Sequence, residues 1–277
     1  MSPPGDPRAF ESWPTSHVID GKPQQLPDPV VIEEPLEIEV ESQPLLVTMR
    51  TPGHDVELTA GLLYGEGLID GPGDLVELRD ASQCGVENRV EVRLRDPRAL
   101  ERLRAARSFP ASAACGVCGK TTIESIFALG LPLLDPGSPQ LAAARLESLP
   151  ERMRASQALF AKTGGLHAAA LFEISEAGAV LALLREDVGR HNAVDKVVGA
   201  RLLAGQVPLR DTLLLLSGRA GFEIVQKAAR AGVPIVAAVG APSSLALRTA
   251  ERAGITLVGF LRRGRFNLYT APQRIAL

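Results

Sequence analysis

The sequence predicts an α/β protein whose C-terminal part is built on a parallel sheet, preceded by a smaller α+β region. Two observations carry this. The segments Thr212–Ser217, Val233–Val239 and Ile255–Phe260 are short, continuous apolar runs, the pattern of strands buried on both faces. Between them lie Phe222–Ala231 and Leu245–Ala253, each about the length of a crossover helix. In the N-terminal half, by contrast, strand-like segments alternate in polarity, as half-buried strands do.

Residues 1–27 are rich in proline and polar residues and are expected to be poorly ordered. A small α+β domain is expected over residues 28–107. Its strands are Leu36–Val40, Leu45–Arg50 and the strictly alternating Arg89–Arg95. Thr51–Asp55 reads as a turn into a helix with Asp55 as its N-cap; Leu58, Leu62 and Leu63 form the apolar stripe, and Gly65-Glu66-Gly67 closes it. Residues 108–277 form the α/β domain. It opens with a Cys-x-x-Cys segment and a helix, followed by a loop-rich connection over 131–150 and a helical pattern over 151–162 that stops at Gly164-Gly165. A β-hairpin is expected from Leu166–Ile174 and Ala179–Leu184. The polar run Arg185–Asn192 then leads into a helix with Val194, Val197, Val198 and Leu202 on one side.

The chain of 277 residues is 45% hydrophobic with a formal charge of −2, which gives no general reason to expect nucleic acid or a membrane surface as partner. All but five of the 30 basic residues are arginine, a bias that a GC-rich genome also produces. Three cysteines do not make a disulfide framework, and no signal peptide or membrane-length apolar run is present, so a cytoplasmic protein is expected.

The chemistry points to Cys115-Gly116-Val117-Cys118-Gly119-Lys120. Each cysteine is followed by glycine, the next residues begin a helix, and a helix N-terminus beside Lys120 favours a thiolate. A closed zinc site would need two more ligands, and only Cys84, His17, His54, His167 and His191 remain. A thioredoxin-type pair is also open, although about a hundred residues precede the motif. Cys84 and His54 read as structural. Three polar glycine-bearing segments follow the three apolar strands: Ser217-Gly218-Arg219-Ala220-Gly221, Gly240-Ala241-Pro242-Ser243-Ser244, and Arg262-Arg263-Gly264-Arg265. The first two enter helices, where free N–H groups accept phosphate, and the arginines add charge-assisted contacts. Together they predict a phosphate-bearing ligand. Asp187 and His191 either serve a site or cap a helix, and the sequence does not separate these.

Taken together, Thr51–Leu58, Tyr64–Gly67, Cys115–Lys120, Thr163–Ala169, Arg185–Lys196, Ser217–Ala220, Phe222–Lys227, Ala241–Ser244 and Gly259-Phe260 resemble the formate dehydrogenase accessory sulfurtransferases, the FdhD/NarQ family. The resemblance implies a C-terminal three-layer domain like the cytidine-deaminase fold. It implies a sulfur carrier loaded by a cysteine desulfurase, with a persulfide on Cys115 and Cys118 as supporting thiol. The acceptor would be the bis-molybdopterin guanine dinucleotide form of the molybdenum cofactor, bound as cargo by Phe260, Leu261, Arg262, Arg263, Gly264 and Arg265 and destined for formate dehydrogenase. It also implies a homodimer. A zinc deaminase is the rival enzyme, but no His-x-Glu occurs and Pro110 is not adjacent to Cys115. A non-catalytic cofactor-binding chaperone is the other alternative.

Overall fold

The computed structural model describes residues 9–101, 131–135 and 137–277. Cys115, Cys118, the helix expected after them and the domain boundary near 107 lie outside these residues. The N-terminal region forms a four-stranded sheet of β3 (Glu34–Val40), β4 (Gln43–Arg50), β5 (Leu75–Asp80) and β6 (Arg89–Leu94), in the order β4-β3-β6-β5. Helix α1 (Asp55–Gly65) lies between β4 and β5 in the chain. Asp55 is the first residue of α1, not its cap. His54 holds the cap position in a left-handed conformation (φ 62°) without a side-chain capping hydrogen bond, and the Asp55 carboxylate is taken by Arg50 at 2.9–3.0 Å.

Ahead of this sheet, β1 (Phe10–Ile19) and β2 (Lys22–Val31) form a two-stranded antiparallel ribbon. This corrects the expectation of a poorly ordered segment as far as residue 27. The turn is Asp20-Gly21, both at positive φ (51° and 77°), which is the two-residue hairpin geometry that matches strand twist. Prolines inside both strands hide that signal.

The larger sheet has the order β13-β12-β11-β10-β8-β9. Its strands are β8 (His167–Ser175), β9 (Gly178–Asp187), β10 (Thr212–Leu216), β11 (Ile235–Ala238), β12 (Thr256–Arg262) and β13 (Arg265–Thr270). Only β10, β11 and β12 are mutually parallel; the other neighbouring pairs are antiparallel, so the sheet is mixed. Its strands alternate between two cores. Leu213 and Leu215 face helix α2 (Ala143–Ala155) through Leu146, Leu149 and Met153. Leu214 and Leu216 face the opposite core, with helices α4 (Arg190–Leu203), α5 (Phe222–Arg230) and α6 (Ser244–Ala253). A short strand β7 (Leu141–Ala142) precedes α2 and pairs with β14 (Ile275–Ala276). Helix α3 (Ala158–Thr163) follows α2 and ends at Gly164 with φ 66°. Helix α2 occupies part of what reads as the 131–150 loop. The spacing of Leu146, Leu149 and Met153 gives it a buried face, and Pro150 inside the helix obscures it.

One continuous apolar core runs from the four-stranded sheet through α1 and α4 to the six-stranded sheet. Helices α1 and α4 cross at two glycines. A Cβ on Gly61 would fall 1.9 Å from the Asp195 carbonyl oxygen, and one on Gly199 would fall 1.8 Å from that of Glu57. Both obstacles are backbone, which cannot rotate away. Gly199→Ala should therefore destabilise the fold by about 3 kcal/mol or more, at or beyond the upper end of ordinary overpacking. Gly73→Ala, where nothing lies within 4 Å, should change the urea midpoint little.

Candidate functional site

Two of the glycine-bearing segments and Phe260 of β12 meet along the carboxyl ends of β10, β11 and β12. Gly240 N–H donates to the Gly218 carbonyl, and Phe260 N–H donates to that of Gly240, both at 3.0 Å. A Cβ on Gly240 would lie 3.0 Å from the Gly218 oxygen, so the loops are laced backbone to backbone. Ser217 Oγ accepts from Ala168 N–H at 2.8 Å, which ties β10 to β8. The Ser243 hydroxyl caps α6 by accepting from Ala246 N–H at 3.2 Å. Arg219 and Ser244 are exposed on this rim.

Phe260 sits at φ 53° and is partly exposed, whereas Leu261 is fully buried in the core on the α2 side. Arg262, Arg263, Gly264 and Arg265 form the exposed β12–β13 turn. Helix α2 holds that turn: Glu147 accepts from Gly264 N–H at 3.0 Å, and Glu151 lies 3.9 Å from Arg263. Of the segment expected to bind cofactor, the side chain of Leu261 therefore belongs to the core, and the arginines face outward.

A cleft of about 590 Å³ opens between α2–α3 and the ends of β8, β10 and β11. Met153, Gln157, Phe160, Leu166, His167 and Ser217 are among its walls. The Arg154 guanidinium lies 3.8 Å from the Phe160 ring centroid. Glu186 accepts from the N–H groups of Leu159 and Phe160 at 3.0 and 2.8 Å, fixing the start of α3. Gln157 is 2% exposed, and its Nε2 has no hydrogen-bond partner. Nothing in the sequence marks Gln157. His167 lies in a strand whose polarity pattern gives no hint that its first residue faces a cleft.

Beside this cleft lies a polar cluster of His167, Arg190, His191 and Glu223. Burial, then Arg190 and Arg219, lower the pKa of His167. Burial, then Lys227, Arg190 and His167, push that of His191 down to about 3. The His191 ring is therefore neutral near pH 7. His191 Nε2 lies 3.3 Å from Glu223 Oε2. In the same region Lys227 Nζ meets Asp195 Oδ2 at 2.5 Å. Burial raises the Asp195 pKa to about 6, and its Oδ1 is without a partner.

Asp187 resolves differently from His191: it is structural. Fully buried, it accepts from Gly189 N–H (2.8 Å), Asn192 Nδ2 (3.0 Å) and Thr51 N–H (3.3 Å), and it pairs with Lys196 Nζ at 2.7 Å. Lys196 also donates to the Thr51 carbonyl at 2.9 Å. Arg185 clasps Glu57 with two bonds of 2.6 and 2.8 Å. His54, read as structural, lies 3.3 Å from the same carboxylate. Cys84 closes a 3-10 turn after β5. Among the described residues no group of three metal-ligating side chains is present, and no helix is long and apolar enough to cross a membrane.

This two-sheet mixed α/β architecture is shared with the crystal structure of a protein described as a formate dehydrogenase accessory protein, from Desulfotalea psychrophila. The TM-score is 0.75 at 28% identity, covering 97% of this chain and all of that one. The chain is thus similar in fold to that accessory protein over nearly its whole length. The FdhD/NarQ family profile matches residues 31–276, and the chain belongs to that family. Relatives named sulfur carrier protein FdhD include one from Mycolicibacterium paratuberculosis, 45% identical over 94% of this chain and 96% of its own length. Another, from Anaeromyxobacter dehalogenans, is 48% identical over 90% and 89%.

Two predictions follow from the buried contacts. Lys196→Met leaves Asp187 charged and unpaired in the interior and should cost about 3–5 kcal/mol in urea unfolding, whereas replacing both partners with apolar residues should cost less. Burial alone would raise the Glu57 pKa, but hydrogen bonds from Arg185 and His54, with their charges, outweigh it and hold it at about 2, below the ordinary 4.5. The stability from this clasp is thus fully present above pH 4.5 and is lost as the pH falls toward 2. The difference in thermal midpoint between wild type and Arg185→Gln should shrink over that window.

Proposed function

We propose that this chain is a sulfur carrier. It accepts sulfur from a cysteine desulfurase as a persulfide on Cys115 and passes it to the bis-molybdopterin guanine dinucleotide cofactor required by formate dehydrogenase. The observation that carries this reading is membership of the FdhD/NarQ family over residues 31–276, with relatives named as sulfur carriers, in a chain that holds Cys115-x-x-Cys118. The Cys115 thiolate attacks the outer sulfur of the donor's cysteine persulfide; the new S–S bond forms as the old one breaks, and the donor leaves as a thiolate. No net oxidation occurs. Delivery reverses this balance: the outer sulfur goes to the acceptor and Cys115 returns to thiolate. In place of that direct transfer, Cys118 can attack Cys115 Sγ, which expels the outer sulfur as hydrosulfide and leaves a Cys115–Cys118 disulfide for a cellular dithiol to reduce.

The laced rim and the arginine turn support the cargo half of the reading, since exposed arginines and backbone N–H groups at helix starts suit diphosphates. Helix α2 on one face of the larger sheet and α4–α6 on the other support a likeness of the C-terminal part to the cytidine-deaminase fold. We also place the protein in the cytoplasm as a homodimer.

The test is intact-protein mass after incubation with an active cysteine desulfurase and cysteine. Wild type should gain one reductant-labile sulfur atom, and Cys115→Ala should gain none. Absence of that gain in wild type overturns the carrier reading. If Cys115→Ala still activates formate dehydrogenase, the protein is a cofactor chaperone instead.

A further inference from the structure

We infer that the β1–β2 ribbon is the arm by which this chain docks on cofactor-free formate dehydrogenase during delivery. This rests on the reading that the chain carries a cofactor to that enzyme, and it gives the handover a contact surface outside the rim. The ribbon register places Trp13, Ile19, Leu26 and Val30 on one face. All four are between 38% and 56% exposed. Trp13 stands diagonally between Val30 and Leu26, within side-chain reach of both, and Ile19 extends the apolar stripe to the tip. The prolines Pro14, Pro23, Pro27 and Pro29 all fall on alternate pairs of the register, on the opposite face. In an antiparallel ladder one alternate set of pairs points its N–H groups away from the partner strand. Proline there costs the ribbon no hydrogen bond and removes donors from both outer edges, which blunts them against pairing with a further strand. The apolar face is left as the recognition surface.

Position, charge and area select the occupant. A Cβ on Gly165 would fall 3.0 Å from Val31 at the ribbon's base, and Lys162 Nζ lies 4.7 Å from the Phe10 ring centroid. Gly165 lines the cleft together with Ser217 of the rim, so the arm stands where a recipient of the cargo approaches. The rim is basic through Arg219 and the Arg262–Arg265 turn, and a pocket that takes up a phosphate-bearing cofactor is basic too. Two such surfaces repel. The ribbon carries Glu11, Asp20 and Asp28 against Lys22, an acidic strip that meets the recipient's basic entrance and offsets this repulsion. A ten-residue ribbon is about 34 Å long and about 10 Å wide, a face of about 340 Å². A stable dimer needs about 800 Å² per partner, so a second copy is not held by the ribbon alone. A carrier that leaves after delivery needs a small, transient contact, and the ribbon has that size.

Binding of the full-length protein to formate dehydrogenase purified without its cofactor tests this by biolayer interferometry. The double variant Trp13→Ser with Leu26→Ser should bind about tenfold or more weakly than wild type. Both side chains are exposed, so its thermal midpoint and its persulfide loading by the desulfurase should match wild type, which separates docking from folding and from sulfur acceptance. Photocrosslinking from Leu26→p-benzoylphenylalanine in an otherwise wild-type chain should label formate dehydrogenase, which keeps the test independent of the double variant. The inference is overturned if wild type does not bind or if the folded double variant binds as wild type does. It is equally overturned if the crosslink is absent, or forms to a second copy or to the desulfurase instead. Where loading of wild type is intact in those cases, only the docking assignment falls; if wild type takes up no sulfur, the carrier reading falls with it.

Discussion

The buried pair of Asp187 and Lys196 is the contact on which the arrangement of the two sheets depends. Asp187 ends β9 and Lys196 lies in the second turn of α4, and both reach Thr51, at the corner between β4 and α1. Withdrawing two charges from water costs several kcal/mol, and that cost is offset only where every lone pair and proton finds a partner. Here the carboxylate has four partners, three of them N–H groups, so the local geometry is over-determined. The corner of the smaller sheet is thereby fixed to the start of α4 in one arrangement. The Arg185–Glu57 clasp repeats the connection from the neighbouring position on β9 to α1.

This latch explains why the helices can approach so closely. Gly61 and Gly199 allow backbone contact where any side chain would collide, and such a crossing tolerates little lateral error. Fixed ion pairs on one side of the crossing and a continuous apolar core on the other supply that precision. The same rigidity carries to the larger sheet, because α4 packs on β8 and β9, the two strands that bring His167 and Asp187 to one end. The cleft and the laced rim are therefore assembled on supported elements, not on free loops.

Much of this was legible in the sequence, for identifiable reasons. The strands β10 to β12 are uniformly apolar and the intervening helices short, so the period and lengths agreed. The hairpin of β8 and β9 and the buried face of α4 were equally plain. Prolines concealed two elements: the β1–β2 ribbon, although its Asp20-Gly21 turn is a hairpin signal, and the first half of α2, which contains Pro150. The antiparallel neighbours that make the larger sheet mixed follow from pairings that no local pattern encodes. At the rim, the strand–turn–helix pattern placed Gly218 and Gly240 at adjacent strand ends, where Gly240 N–H donates to the Gly218 carbonyl. Leu261 was swept in with its neighbours, yet strand alternation turns it inward. The Arg185–Asn192 run was dense in polar groups, but only the three-dimensional partners separate a latch residue such as Asp187 from the exposed chemistry nearby.

The electrostatics of the rim then divide its two kinds of nitrogen base. Burial, with Arg190 and Arg219, lowers the pKa of His167, while burial, with Lys227 and Arg190, pushes that of His191 down to about 3. A neutral His191 has no charge to lose as pH rises through the physiological range, whereas Asp195, its pKa raised to about 6, titrates at the edge of that range. Under the proposed function, release of a polyanionic cargo would therefore not be driven by the titration of His191.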